Sequence, residues 1–188
     1  MPLLALFLLL TACGGAVAND ESVRTHFSEV PGFTAHIKIL SNLGQSVLEY
    51  ELDYVYNKED SDSFTVTAPA SLSGISGTIA GTDSAQFSLQ YDGAALDDAM
   101  PQRTGLTPAD GLFCLLSDLR SDVPAEQWSE EVAGQTLLVL RYESDSADGK
   151  IVKQVWLTED GRQPVCAELY ADDTCVLTIQ VMEYQEKT

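Results

Sequence analysis

Hydrophobic and polar residues alternate along most of the chain after residue 32. From residue 33 to residue 39 every second side chain is apolar, the pattern of a β-strand with one buried face. A turn at 42–44 separates this run from a second alternating run over 47–56. The two runs predict a long antiparallel hairpin at the start of the fold.

Similar short runs occur in the remaining chain, separated by segments rich in Gly, Asp and Ser that are typical of turns. In the last third these segments have the length of hairpin connections, so neighbouring strands are expected to pair. The further strands are predicted at 63–68, 77–80, 86–91, 136–142, 151–158, 165–170 and 175–184.

One helix is predicted between the two groups of strands. Thr107 is expected to cap it, with Pro108 at the first helical position and Asp110 at the third. Four leucines then recur at the spacing of one helical face, and the pattern ends near Arg120. These leucines are Leu112, Leu115, Leu116 and Leu119. A second short helix is considered over 124–128, which gives a β-meander, one or two helices and a second β-meander.

The chain is strongly acidic. It has 29 Asp and Glu against 10 Lys and Arg, a net charge of −19, and its acidic residues are scattered along the sequence. Such a surface repels nucleic acid and anionic lipid headgroups, so we exclude nucleic-acid binding and leave a basic partner open. The hydrophobic fraction of 45% can supply the core of a single domain.

The sequence contains no arrangement of residues that indicates catalysis or metal binding. The two histidines, His26 and His36, belong to no Ser-His-Asp arrangement, and His36 falls on the polar face of the first strand. No phosphate-binding loop or complete calcium loop is present. We therefore expect a protein that is not an enzyme and that uses no cofactor and no metal.

Three cysteines lie within the predicted domain: Cys114, Cys166 and Cys175. Their spacing matches neither zinc ligands nor a Cys-x-x-Cys redox pair. Cys166 and Cys175 could form a disulfide if the strand register placed them opposite each other. Buried free thiols are the alternative, because reduced cysteine packs as a small apolar residue.

The first thirteen residues resemble the start of a bacterial lipoprotein. An apolar run, too short for the roughly 20 residues that span a bilayer, ends in Leu-Thr-Ala-Cys at Cys13. The resemblance implies a signal peptide over 1–12, lipid attachment at Cys13, a lipidated tether over 13–22 and one domain over 23–188. The protein is then anchored on the extracytoplasmic side of a bacterial cell membrane. The absence of Lys and Arg from 1–12 departs from the usual signal peptide, and the alternative is an ordinary apolar N-terminus with a buried cysteine.

Several short motifs accompany this order of elements. They are Phe-Thr-Ala-His-Ile from Phe33, Thr-Ala-Pro ending at Pro69, Tyr-Asp-Gly ending at Gly93, the Thr-Pro-Ala-Asp helix start at Thr107, and Arg-Gln-Pro-Val around Pro164. The whole is similar to the LolA/LolB/LppX-like lipoproteins, and most of all to the germination and sporulation lipoproteins of the GerS type. The resemblance implies a mainly β fold, an unclosed (half) antiparallel β-barrel with one or two helices plugging its concave face.

The resemblance also implies two alternative functions. In the first, the protein is a non-catalytic carrier or acceptor, and its hollow binds the acyl chain of a lipid or lipoprotein against Leu112, Leu115, Leu116 and Leu119. A dry apolar cavity of roughly several hundred Å³ is then expected. In the second, side chains fill the hollow. The protein then docks an envelope partner, such as a cell-wall amidase, through an exposed apolar patch.

Overall fold

The computed structural model describes residues 18–42, 44–80, 86–96, 105–146 and 149–187. The predicted signal peptide, Cys13 and the first part of the tether lie outside these residues. Within them the chain forms two helices, α1 (Asp20–Glu29) and α2 (Gly111–Ser121), and eleven strands. The strands are β1 (Gly32–Asn42), β2 (Val47–Asn57), β3 (Asp62–Ala68), β4 (Ile75–Ala80), β5 (Gln86–Tyr91), β6 (Ala94–Ala95), β7 (Glu126–Val132), β8 (Gln135–Ser146), β9 (Gly149–Thr158), β10 (Pro164–Ala171) and β11 (Thr174–Glu186).

All eleven strands belong to one antiparallel sheet with the order β6-β5-β4-β3-β2-β1-β11-β10-β9-β8-β7. Each half of the sheet is a meander, and the halves meet where β1 pairs with β11, for example Phe33 with Glu186. Among the described strands, β6 and β7 each have a neighbour on one side only, so the sheet does not close. The predicted mainly β fold, an unclosed antiparallel sheet with helices, is confirmed.

The two helices cover one face of the sheet, which we call the inner face. In β1 the apolar positions point to this face, and Ile37 and Ile39 have no exposed area. The polar positions between them lie on the opposite, outer face, where Lys38 contacts Glu49 of β2 at 2.8 Å. The alternation in the sequence thus corresponds to the two faces of the sheet. Nine strands were predicted from this pattern, and all nine are present.

Helix α1 was not predicted, and it begins inside the segment expected to be a tether. Asn19 caps it, because its side chain accepts a hydrogen bond from the Ser22 amide while the Ser22 hydroxyl accepts one from the Asn19 amide. Val23 and Phe27 are one helical turn apart and are buried in the core. The helix packs closely on Gly161, because a Cβ at that position would lie only 2.8 Å from Cγ2 of Val23.

Helix α2 starts later than predicted. Thr107 to Asp110 form a turn, the helix begins at Gly111, and its N-cap residue Asp110 makes no capping hydrogen bond to the helix. The Asp110 side chain instead bonds backward to Thr107, whose amide and hydroxyl donate to it at 3.0 and 2.6 Å. The motif therefore marks the turn that leads into the helix. The helix ends at Ser121, close to the predicted end.

The segment considered for a second short helix, 124–128, is not helical. Its second half belongs to β7, an edge strand whose side chains are mostly exposed. On the outer face, Trp128 of this strand packs on a small cluster that includes Val139 and Trp156. The indole of Trp156 also donates a hydrogen bond to Glu130 at 3.0 Å.

The three described cysteines are free thiols and half-buried. Cys166 lies opposite Gln180 in the β10–β11 ladder and Cys175 lies opposite Tyr170. The register therefore keeps Cys166 and Cys175 apart. Both are free thiols, as the alternative to a disulfide predicts.

Candidate binding site between helix and sheet

The four predicted site leucines lie side by side in the structure, between α2 and the inner face. Each is at most 4% exposed, and all four belong to the main hydrophobic core. We call this set the leucine layer: Leu112, Leu115, Leu116 and Leu119. Their contacts are those of a packed core, and their role in ligand binding stays a prediction.

The space between α2 and the sheet is closed. At the start of the helix, a Cβ on Gly111 would lie 2.9 Å from Leu177 and 3.4 Å from Leu169, so the helix rests directly on β11 and β10. Four open clefts with partly polar walls lie on the surface of the described residues. None of these four is lined by the leucine layer. Among the described residues, the leucine layer and its neighbours in the core thus fill the place where a carrier is expected to have a dry cavity.

An ion pair joins the middle of α2 to the sheet. Lys153 of β9 places its Nζ 2.6 Å from Oδ2 of Asp118, and both side chains are only 14% exposed. Burial raises the pKa of Asp118, and the neighbouring ammonium lowers it. Tyr142 faces Lys153 across the β8–β9 ladder, and its buried hydroxyl has no hydrogen-bond partner among the described residues. The contact of α2 with β8 and β9 is therefore apolar except for this polar spot.

A second polar anchor precedes α2. The carboxylate of Asp110 is buried and accepts hydrogen bonds from the amide of Gly105 at 2.7 Å and from Thr107. Cys114 follows in the first turn, and burial raises the pKa of its thiol to about 11. A thiol with that pKa stays protonated at neutral pH and is a poor nucleophile.

A cleft of about 540 Å³ opens beside the second half of α2, and we call it the helix-end cleft. Its walls come from α2, from the turn between β2 and β3, and from the ends of α1 and β4. Tyr56 and Phe113 form an apolar part of the wall, and Lys58 and Arg120 bring positive charge. The Arg120 guanidinium carbon lies 5.1 Å from the centre of the Tyr56 ring, within the range of a cation–π contact.

Two acids also line the helix-end cleft. The carboxylate of Asp62 is buried and accepts hydrogen bonds from the Tyr54 hydroxyl and the Asn57 amide. Burial raises the pKa of Asp62, and these hydrogen bonds lower it. Asp60 is exposed in the adjoining turn. No motif pointed to this cleft, because its residues are brought together from four separate segments of the chain.

The histidines stand apart from each other and from the leucine layer. His26 contacts Glu186 at 3.0 Å, and His36 contacts Asp53 at 2.7 Å on the outer face, as its place on the polar side of β1 predicts. Within the described ranges, no three His, Cys, Asp or Glu side chains are grouped to hold a metal ion. None of the helices in those ranges has the length and apolar character needed to cross a membrane.

Comparison with known proteins reveals a shared fold. No family model matches the sequence, and no curated protein matches it. A DUF1329 family protein from Desulfovibrio piger aligns at 11% identity over 90% of this chain and 92% of its own, with a TM-score of 0.50. A putative outer membrane lipoprotein-sorting protein domain from Vibrio parahaemolyticus aligns at 12% identity over 90% and 91%, with a TM-score of 0.47. The LolA superfamily protein NE2245 from Nitrosomonas europaea aligns at 13% identity over 91% and 94%, with a TM-score of 0.44. At these identities the likeness concerns the fold alone, and it is the alignment with the Desulfovibrio protein that supports it.

Proposed function

We propose that this chain is a non-catalytic bacterial lipoprotein that binds an acyl chain of a lipid or of another lipoprotein between α2 and the inner face. Cys13 carries the membrane anchor in this proposal, and the leucine layer contacts the bound chain. The protein then acts outside the cytoplasmic membrane as a carrier or acceptor. The observation that carries the proposal is the leucine layer. Its side chains pack on the apolar inner face, and the backbone of α2 forms no ladder with the strands.

Helix α2 can separate from the sheet at little cost in hydrogen bonds. A helix satisfies most of its own backbone groups, and the strand ladder is complete without it. Between α2 and the sheet, the described residues form one hydrogen bond, from Lys153 to Asp118. Moving the helix therefore breaks mainly apolar contacts, which an acyl chain can replace.

The free energies of the two sets of apolar contacts are similar. Burying a leucine side chain is worth about 1.5–3 kcal/mol, so exposing the whole leucine layer would cost about 6–12 kcal/mol. An acyl chain gains about 0.8 kcal/mol for each buried methylene, or about 11 kcal/mol for a chain of about 16 carbons. We infer that the leucine layer packs on the sheet when no chain is bound, and that a bound chain lies between the layer and the sheet.

A second function is favoured by the closed packing itself. If the leucine layer never opens, the fold is a rigid module that docks an envelope protein, as the resemblance to GerS-type proteins implies. Val47 and Leu48 at the start of β2 are exposed large apolar residues, at 63% and 41%. They would belong to the contact surface of such a module.

Binding of a fluorescent fatty acid tests the first function. The whole protein is titrated with a dansyl-labelled fatty acid, and palmitate is then added as a competitor. We expect saturable fluorescence enhancement that palmitate reverses. Leu116→Ala should bind more tightly than wild type, because the chain fills the space that the shorter side chain leaves and recovers part of the stability lost by the empty protein. Each 1.4 kcal/mol recovered raises the affinity about tenfold.

The matched control is Leu137→Ala. Leu137 is as buried as the leucine layer but lies in the cluster on the outer face. Its truncation should destabilise the fold and leave fatty-acid affinity unchanged. Absence of any fatty-acid binding by the wild type would contradict the carrier function and favour the docking module. An equal effect of both substitutions would contradict the location of the site.

A further inference from the structure

The few positive charges of this chain are distributed unevenly. Of the lysines and arginines in the described ranges, five are in ion pairs with acids, namely Arg24, Lys38, Arg141, Lys150 and Lys153. The other four, namely Lys58, Arg120, Arg162 and Lys187, form no ion pair with another described residue, and Lys58 and Arg120 both line the helix-end cleft. Two cations without an ion-pair partner therefore face one cavity on a protein whose net charge is −19.

The helix-end cleft borders the hydrophobic core that contains the leucine layer. Phe113 and Tyr56, which line the cleft, belong to the same hydrophobic core as Leu116 and Leu119. Arg120 directly follows Leu119 in α2, and its guanidinium lies over the Tyr56 ring. The cleft thus places apolar residues of the core beside charged residues, which is the combination that an amphiphilic ligand requires.

Two acids share the cleft with these two cations. Asp62 is buried and accepts hydrogen bonds from the Tyr54 hydroxyl and the Asn57 amide, and its carboxylate also attracts the Arg120 guanidinium. Asp60 is exposed and opposes a bound anion. Charges more than about 8–10 Å from the cleft are screened at physiological salt, so the acids that oppose a bound anion most are those of the cleft itself and Glu59, which follows Lys58 in the same turn.

We propose that the helix-end cleft binds the anionic headgroup of an acylated lipid, with Arg120 and Lys58 contacting its phosphate while the acyl chain lies against the leucine layer. The inference rests on the proposed acyl-binding function and names the class of its ligand. Arg120 is suited to a phosphate because its guanidinium can donate two parallel hydrogen bonds, and Lys58 adds a point charge. Net charge alone predicted repulsion of anionic lipids; the local arrangement predicts selection of them.

Two lipids with the same acyl chains and different headgroups test this inference. The whole protein is incubated with vesicles of dioleoyl phosphatidylglycerol or dioleoyl phosphatidylcholine, separated from them, and the bound lipid is measured by native mass spectrometry. We expect the anionic lipid to bind at least about tenfold more tightly, the value for one or two charge-assisted contacts. The N-terminal segment is the same in every variant, so its own interaction with lipid cancels in the comparison.

Three charge variants and one control locate the site. Arg120→Gln and Lys58→Gln should each reduce the preference for the anionic lipid several-fold and leave binding of phosphatidylcholine unchanged. Asp60→Asn should increase the preference. Arg162→Gln changes the net charge by the same amount in a different cleft, next to Asp160, and should have no effect. Equal effects of Arg120→Gln and Arg162→Gln would overturn the inference, since net charge alone would then explain them.

The outcomes separate this inference from the proposed function. Equal binding of the two lipids by the wild type would overturn the headgroup site and leave acyl-chain binding intact. Binding of neither lipid would overturn both. Inorganic phosphate is the probe for a site that binds free anions. If millimolar phosphate fails to displace the lipid, the site needs the acyl chain and the inference is supported. If phosphate displaces the lipid at the concentration at which phosphate itself binds, the inference is overturned.

Discussion

Replacing Lys153 by methionine is expected to lower the free energy of unfolding by about 3 kcal/mol at neutral pH. The lysine Nζ lies 2.6 Å from the Asp118 carboxylate, and both side chains are only 14% exposed. Removing one partner of a buried ion pair leaves the other charge without compensation, at a cost of about 3–5 kcal/mol. We expect the lower end of that range because the pair keeps some contact with water.

The loss of stability should depend on pH in a defined direction. Burial raises the pKa of Asp118, and Lys153 lowers it, so removal of the lysine raises that pKa further. A carboxyl group whose pKa is raised on folding stabilises the folded state at low pH, and this stabilisation is lost as the pH rises through the folded-state pKa. The deficit of the variant relative to wild type is therefore full at neutral pH and shrinks as the pH falls through the pKa of Asp118.

Thermal unfolding followed by tryptophan fluorescence measures this effect. Trp128 and Trp156 pack on the outer face, whereas Lys153 faces α2, so their signal reports unfolding of the sheet and not the local change. A loss of about 3 kcal/mol lowers Tm by about 6–12 °C in a domain of this size.

The double variant Lys153→Met with Asp118→Leu is the control. It contains neither charge and should return to within about 1 kcal/mol of wild type, because an apolar pair can replace a buried ion pair. A change in Tm below about 1 °C for the single variant would refute the reasoning, since it is the value expected of an exposed ion pair.

Two further predictions concern the segments that position the helices. Asp110→Ala leaves the buried donors of Gly105 and Thr107 without an acceptor and should lower the free energy of unfolding in urea by about 2–4 kcal/mol. Asp110→Asn keeps one oxygen as an acceptor and should lower it less. Equal stability of the two variants would contradict this prediction. Gly161→Ala should destabilise by at least about 1 kcal/mol more than Gly134→Ala, because both glycines have positive φ but only the first Cβ would meet α1. Indistinguishable Tm values for the two alanine variants would show that α1 moves aside.

The strands were predictable because a sheet covered on one face repeats every two residues. The pattern was weakest where a strand lies at an edge. In β7 most side chains are exposed, so the run Glu126–Val132 carries charges and no clean alternation. Charges on an edge strand oppose pairing with a second chain, and the same charges conceal the strand in the sequence.

Helix α1 was missed for a different reason. Only Val23 and Phe27 are buried in it, and two apolar residues one turn apart do not make a recognisable helical face. Its clearest signal is the pair Asn19 and Ser22, which form a reciprocal capping box. The leucines of α2, by contrast, were all identified by their spacing.

The polar contacts of the candidate site could not be read from the sequence. Asp118 and Lys153 lie on different elements, and only the position of α2 on the sheet brings them together. Lys58 and Arg120 are likewise joined by the fold alone. Spacing identifies which residues share a face of one element, but it contains no information on which faces meet.

The pairing of β1 with β11 has a consequence for the order of folding. These two strands are the first and the last of the described sheet, and they form its central joint. Every other strand pair of the described sheet joins neighbours in sequence and can form locally, whereas this one must wait until β11 is available. The two meanders can therefore form separately before the sheet is completed. A chain without β11 would carry two separate meanders with exposed strands at β1 and β10, so the loss of this one strand would expose an edge in each half of the sheet.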